Sequence, residues 1–88
     1  MYVHPNARLS TRRNTRVGLL ARTKILDALE NKEDSIREVS LEINVSYSRI
    51  LHHLHLLEEE RLVKRLGEKR PFKWVVTSLG QQALAYKN

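Results

Sequence analysis

Apolar positions along the chain follow two different periods. From Thr15 to Asn31, the residues Val17, Leu20, Ala21, Ile25, Ala28 and Leu29 recur at helical spacing, with Leu26 widening the stripe. This predicts a first helix, in which Gly18 costs up to about 1 kcal/mol relative to Ala. A polar break, Asn31 to Asp34, comes next. Ser35 followed three residues later by Glu38 matches the capping box that satisfies free N–H groups at a helix start. With Ile36, Val39 and Ile43 behind it, the pattern predicts a short second helix over 36–43. Asn44 tolerates the left-handed conformation that ends a helix tightly, and Ser46 is a preferred N-cap. A third helix over 47–60 follows, with Tyr47, Ile50, Leu51, Leu54 and Leu57 on its inner face. Two helices joined by so short a turn cross at a large angle, as in a helix-turn-helix.

Beyond Arg61 the period changes to alternation. Leu62 to Leu66 reads as a strand and Gly67 to Pro71 as a turn. Phe72, Trp74 and Val76 then alternate with Lys73, Val75 and Thr77 in a second strand. Thr77 or Ser78 can cap a last helix holding Leu79, Ala83, Leu84 and Tyr86. Residues 1–14 are polar, carry Pro5 and show no apolar period, so they read as a basic arm that is at best partly ordered. The folded domain is then expected over 15–88. The class is mostly α with a small β hairpin, ordered helix, helix, helix, strand, turn, strand, helix.

Composition narrows the chemistry. Eighty-eight residues allow one small core. Without cysteine there are no disulfides and no thiolate chemistry. No apolar run reaches the roughly 18 residues of a membrane span, and the start of the chain lacks a signal-peptide core, so a cytoplasmic protein is expected. The net charge of +6 conceals a separation: residues 1–24 carry +6, residues 25–60 carry −6 and residues 61–88 carry +6. Basic flanks of this kind suggest a polyanionic partner.

The candidate site combines these two features. Between Ile43 and Leu57 there is no acidic residue, although acids are dense on either side. Ser46, Tyr47, Ser48 and Arg49 open the third helix, where free N–H groups and a partial positive charge favour phosphate. An Arg fork and Ser hydroxyls can reach phosphates or base edges in a major groove. At 100° per residue, Ser48, Arg49, His52 and His53 fall outside the apolar stripe. Lys64, Arg65, Lys69, Arg70 and Lys73 gather in the hairpin around Gly67 and Pro71, suited to a phosphate backbone or a minor groove. Arg12, Arg13 and Arg16 can act likewise from the arm. His52 and His53 are expected to strengthen DNA binding on acidification from about pH 7.5 to 6. His52 and His55 share a helix face, but no further ligand accompanies them, so no metal site is expected. No acid–base pair, nucleophile or phosphate-cradling glycine loop is present, and neither an enzyme nor a cofactor is expected.

The stretch from Ser35-Ile36-Arg37-Glu38-Val39 through Asn44-Val45-Ser46-Tyr47-Ser48-Arg49-Ile50-Leu51-His52-His53-Leu54-His55-Leu56-Leu57-Glu58-Glu59-Glu60-Arg61-Leu62-Val63-Lys64-Arg65 resembles winged helix-turn-helix regulators of the ArsR and MarR type. Trp74-Val75-Val76-Thr77-Ser78-Leu79-Gly80 is similar to the exit from their wing. The resemblance spans roughly residues 17–85. It implies a winged helix that regulates transcription by binding double-stranded DNA, with recognition helix 47–60 in the major groove and basic wing 64–73 on the backbone or minor groove. Two departures stand out. Those families usually carry Gly where this chain has Arg61, at a turn that favours positive φ, and the Cys-containing metal-sensing motif is absent. A homodimer is expected, held by the first or the last helix, and no small-molecule effector is evident. Two other readings stay open: a weakly specific, nucleoid-associated DNA-binding protein, and a winged helix used for protein contacts.

Overall fold

The computed structural model describes residues 2–10, 12–30 and 32–77. Helix α1, Arg16–Ala28, begins at Thr15, whose side chain accepts a hydrogen bond from the Gly18 N–H at 3.1 Å. Its inner face buries Leu19, Ile25 and Leu26, together with Leu29 just past its end. Val17, expected on that face, is instead exposed. The helix stops at Ala28, short of Asn31, and the chain turns through Leu29 and Glu30. Gly18 has a packing reason. A Cβ there would come within 2.9 Å of an Arg22 guanidinium nitrogen and 3.1 Å of the Thr15 hydroxyl, so a larger residue would oblige the Arg22 head group to shift.

Asp34–Ser35 form a two-residue strand, β1, which the sequence periodicity does not predict. Ser35 then caps helix α2, Ile36–Ile43, through the complete capping box: its hydroxyl accepts from the Glu38 N–H, and the Glu38 carboxylate accepts from the Ser35 N–H at 2.9 Å. Asn44 ends the helix with φ 57° and ψ 46°, as its tolerance for that region leads one to expect. The Ser40 hydroxyl donates to the Val45 carbonyl, fixing the turn. Helix α3, Tyr47–Glu59, follows directly. Ser46 stands at its N-cap but makes no side-chain cap.

Ile50, Leu54 and Leu57 of α3 meet Ile25, Leu26 and Leu29 of the first helix region and Val39 of α2 in one core. Arg61 then adopts φ 62°, so the chain keeps the turn that favours Gly and bears the strain, roughly 1 kcal/mol. The hairpin comprises β2, Val63–Leu66, and β3, Lys73–Val76, joined through Gly67. The antiparallel sheet has the order β1-β3-β2. In its register Asp34 lies opposite Trp74 and Val63 opposite Val76, which turns Val63, Trp74 and Val76 onto the helices. The expected last helix lies outside the described residues.

Residues 2–10 depart from expectation. Their polarity suggested a loose arm, yet His4, Asn6, Ala7 and Leu9 are all buried. Polar groups, and not an apolar period, hold them: the His4 N–H donates to the Thr23 hydroxyl at 2.9 Å, and Asn14 both accepts from the Leu9 N–H and donates to the Leu9 carbonyl. A segment whose backbone groups are satisfied this way packs without the amphipathic signature of a helix or strand.

Candidate nucleic-acid interface

The start of α3 places Ser46, Tyr47, Ser48, Arg49 and His52 in solvent, and Tyr47 is 55% exposed. Ile50 and Leu54, both fully buried, set the rotation of the helix that aims them outward. The expected inner-face role of Tyr47 is therefore corrected: it lies beyond the edge of the stripe.

His53 is also corrected. It is 7% exposed, and its Nδ1 lies 3.3 Å from Arg22 Nη1. Because a guanidinium can only donate, Nδ1 accepts and the imidazole is neutral with its proton on Nε2. Burial, then the charge of Arg22, with smaller contributions from His52 and Arg49, pushes the His53 pKa down to about 4. His53 thus belongs to the interior and does not become a cation at the surface near pH 6. The histidine triplet diverges. His52 faces out, His53 in, and His55 lies 6.4 Å from the Trp74 ring on the wing side. Among the described residues, no group of three or more potential metal ligands is present.

Arg22, which the sequence places with the basic flank, is buried at 2% exposure. Its guanidinium donates to the Ala7 carbonyl and the Asn14 side-chain oxygen as well as to His53. Desolvation lowers its pKa, and three acceptors offset the cost of burying the charge. No signal in the sequence separates this arginine from its exposed neighbours, apart from Gly18 one turn earlier.

The other basic residues expected at the site divide into two sets. Arg65 forms a two-point pair with Glu58, at 2.9 and 3.1 Å, and lies over the Phe72 and Trp74 rings. That hydrogen bonding lowers the Glu58 pKa. Arg12 pairs with Glu59 at 3.1 Å and Lys73 with Glu38 at 3.6 Å. Glu60 accepts from the Ser10 N–H. The second set, Arg13, Arg16, Arg49, Lys64, Lys69 and Arg70, is exposed and has no ion pair among the described residues. Arg49 borders a shallow depression shared with Thr15 and Val17 at the start of α1. Lys64, Lys69 and Arg70 belong to the hairpin on the other side of α3. An uncharged polar helix edge therefore runs between two groups of uncompensated cations.

The family model for bacterial regulatory proteins of the arsR family matches residues 21–65, half of the chain. Among solved structures, reduced HlyU from Vibrio cholerae is similar, with a TM-score of 0.65 and 27% identity over 75% of this chain and 67% of that one. A possible transcriptional regulator for arsenical resistance shares the fold at a TM-score of 0.69 and 19% identity, over 97% of this chain and 81% of that one. ZitR from Lactococcus lactis, solved in complex with DNA, has a TM-score of 0.66 and 15% identity over 89% of this chain and 53% of that one. No curated protein sequence matches.

Proposed function

This chain belongs to the arsR family of bacterial regulatory proteins, and from that premise we propose that it binds double-stranded DNA sequence-specifically to regulate transcription. The observation that carries the proposal is that Arg49 at the start of α3 and Lys64, Lys69 and Arg70 of the hairpin are exposed without carboxylate partners among the described residues, beside a helix edge free of acids. In this reading the N-terminal half of α3 enters the major groove. Ser48, Arg49 and His52 face base edges, and the Tyr47 side chain packs against the backbone. Lys64, Lys69 and Arg70 neutralise phosphate along the flank, and Arg13 and Arg16 do so from the side of α1. Arg65, Lys73 and Arg12 serve at the margin, since each already holds a carboxylate. A homodimer places two such helices about 34 Å apart, on successive major grooves.

Selection of bound sequences from a random duplex pool tests this reading. The expected result is a motif with two-fold symmetry that resists an excess of random duplex. Equal displacement by any sequence would instead assign the protein to weakly specific, nucleoid-type binding.

A further inference from the structure

The shallow depression that Arg49 borders, about 320 Å³, lies where the starts of α1 and α3 converge. Thr15, Val17 and Gly18 line it from α1, and Ser48, Arg49 and His53 from α3. His53 is the unusual member. It is 7% exposed, and its Nδ1 accepts from Arg22, which leaves its proton on Nε2. That Nε2–H has no acceptor among the described residues, yet among them no side-chain nitrogen or oxygen sealed from solvent lacks a partner. The Nε2–H therefore keeps an opening to solvent, and the depression is where the ring meets it. Gly18 makes this possible: a side chain there would meet the Arg22 guanidinium, and its absence lets Arg22 hold the ring from behind.

The surroundings of this donor favour an anion. The charges that reach His53 come from Arg22, His52 and Arg49, and none is a carboxylate. Thr15 caps only the Gly18 N–H, so the Arg16 and Val17 N–H groups of the same first turn have no acceptor among the described residues. Helix α1 adds the positive end of its dipole. An open depression of this kind suits a phosphate carried on a chain that continues to either side. We propose that it seats one phosphate of the DNA backbone, with neutral His53 donating its Nε2–H to a phosphate oxygen and Arg22 acting as a positioning residue that fixes the ring. The proposal rests on the DNA-binding reading above. It returns to the interface, as a neutral donor, a residue whose burial removes it as a cation. Such a donor orients the phosphate without releasing a counterion, so it adds affinity that salt does not screen away.

Two arms test this. In the first, ¹⁵N-labelled protein without DNA is titrated with inorganic phosphate against chloride at matched ionic strength. The expected result is a saturable shift of the His53 ring nitrogens and of the Val17 amide, with the Val17 shift reduced several-fold in His53→Asn. That variant keeps an acceptor toward Arg22 and removes the donor. Shifts that never saturate, or a Val17 response unchanged in His53→Asn, would overturn the site. In the second arm, a selected duplex carries an uncharged methylphosphonate at one linkage at a time. His53→Asn should weaken the unmodified duplex about ten-fold with an unchanged salt slope. At one linkage the neutral replacement should then cost the variant several-fold less than it costs the wild type. His53→Gln, which places an N–H near the Nε2 position, should recover most of the lost affinity. Additive losses at every linkage, or no recovery with Gln, would overturn the contact. If no duplex binds under any condition, the DNA-binding reading fails while the phosphate titration still decides the depression.

Discussion

Arg22 and His53 meet inside the protein, guanidinium nitrogen to imidazole Nδ1 at 3.3 Å, with α1 supplying one and α3 the other. The contact requires a neutral imidazole, because a proton on Nδ1 would remove the acceptor and set two cations against each other. The folded-state pKa of about 4 lies below the ordinary 6.5. Between these values the unfolded chain binds more protons than the folded one, so stability falls as pH drops from about 6.5 towards 4. The loss should reach up to about 3 kcal/mol. Urea denaturation across this range checks it, and His53→Gln should flatten that dependence. A wild-type curve without a slope between pH 6 and 4.5 would contradict the neutral assignment.

Asn14 fastens the N-terminal segment by bonding both polar groups of the Leu9 backbone and receiving Arg22. Asn14→Ala should cost about 1–3 kcal/mol by leaving buried groups unpaired. It should also open residues 2–10 before the core melts. Limited trypsin digestion would show this as faster cleavage at Arg8, Arg12 and Arg13 with residues after 14 intact. Unchanged cleavage would mean that the segment is held elsewhere.

Arg61→Gly should stabilise the protein. The position has φ 62°, where Gly lacks the Cβ strain, and the gain is about 0.5–1 kcal/mol after the greater freedom of Gly in the unfolded chain is offset. Thermal unfolding should report a rise in Tm of a few degrees. A lower Tm would indicate that the Arg61 side chain contributes more than its backbone costs.

At the proposed DNA surface, Arg49→Ala should cost about 1–3 kcal/mol, chiefly at the selected site, whereas Lys69→Ala and Arg70→Ala should weaken every sequence and each reduce the salt slope by about 1. Fluorescence anisotropy over a salt series separates the two behaviours. Any strengthening on acidification should survive in His53→Gln, since His53 is buried and stays neutral near pH 6. Equal losses for Arg49→Ala on specific and random duplex would remove it from base readout.

Much of this architecture was legible in the chain because local rules act alone there. Ser35 and Glu38 cap α2, Asn44 turns left-handed, and Arg61 occupies a Gly-type turn, each through its own backbone and nearest neighbours. The strand β1 was not legible, since two residues cannot show alternation and its pairing partner lies some 40 positions away. His53 sits at the boundary between the apolar stripe and the outer face, where the helical period allows either role. What decides it is Arg22, 31 residues earlier, and that arginine is buried by the polar N-terminal segment that folds over it. Periodicity records apolar burial, and this corner of the core is polar.

The run Glu58-Glu59-Glu60 spreads its three carboxylates to the wing, to Arg12 and to the Ser10 backbone. For Arg65 and Arg12, the free protein thus carries its own counterions, covalently attached. A phosphate reaching either arginine must displace a glutamate that cannot diffuse away, so these two add little to the entropy that drives binding at low salt. In the proposed DNA-binding role, that entropy falls to the unpaired lysines and arginines, while the acidic end of α3 holds Arg65 and Arg12 in place of a phosphate.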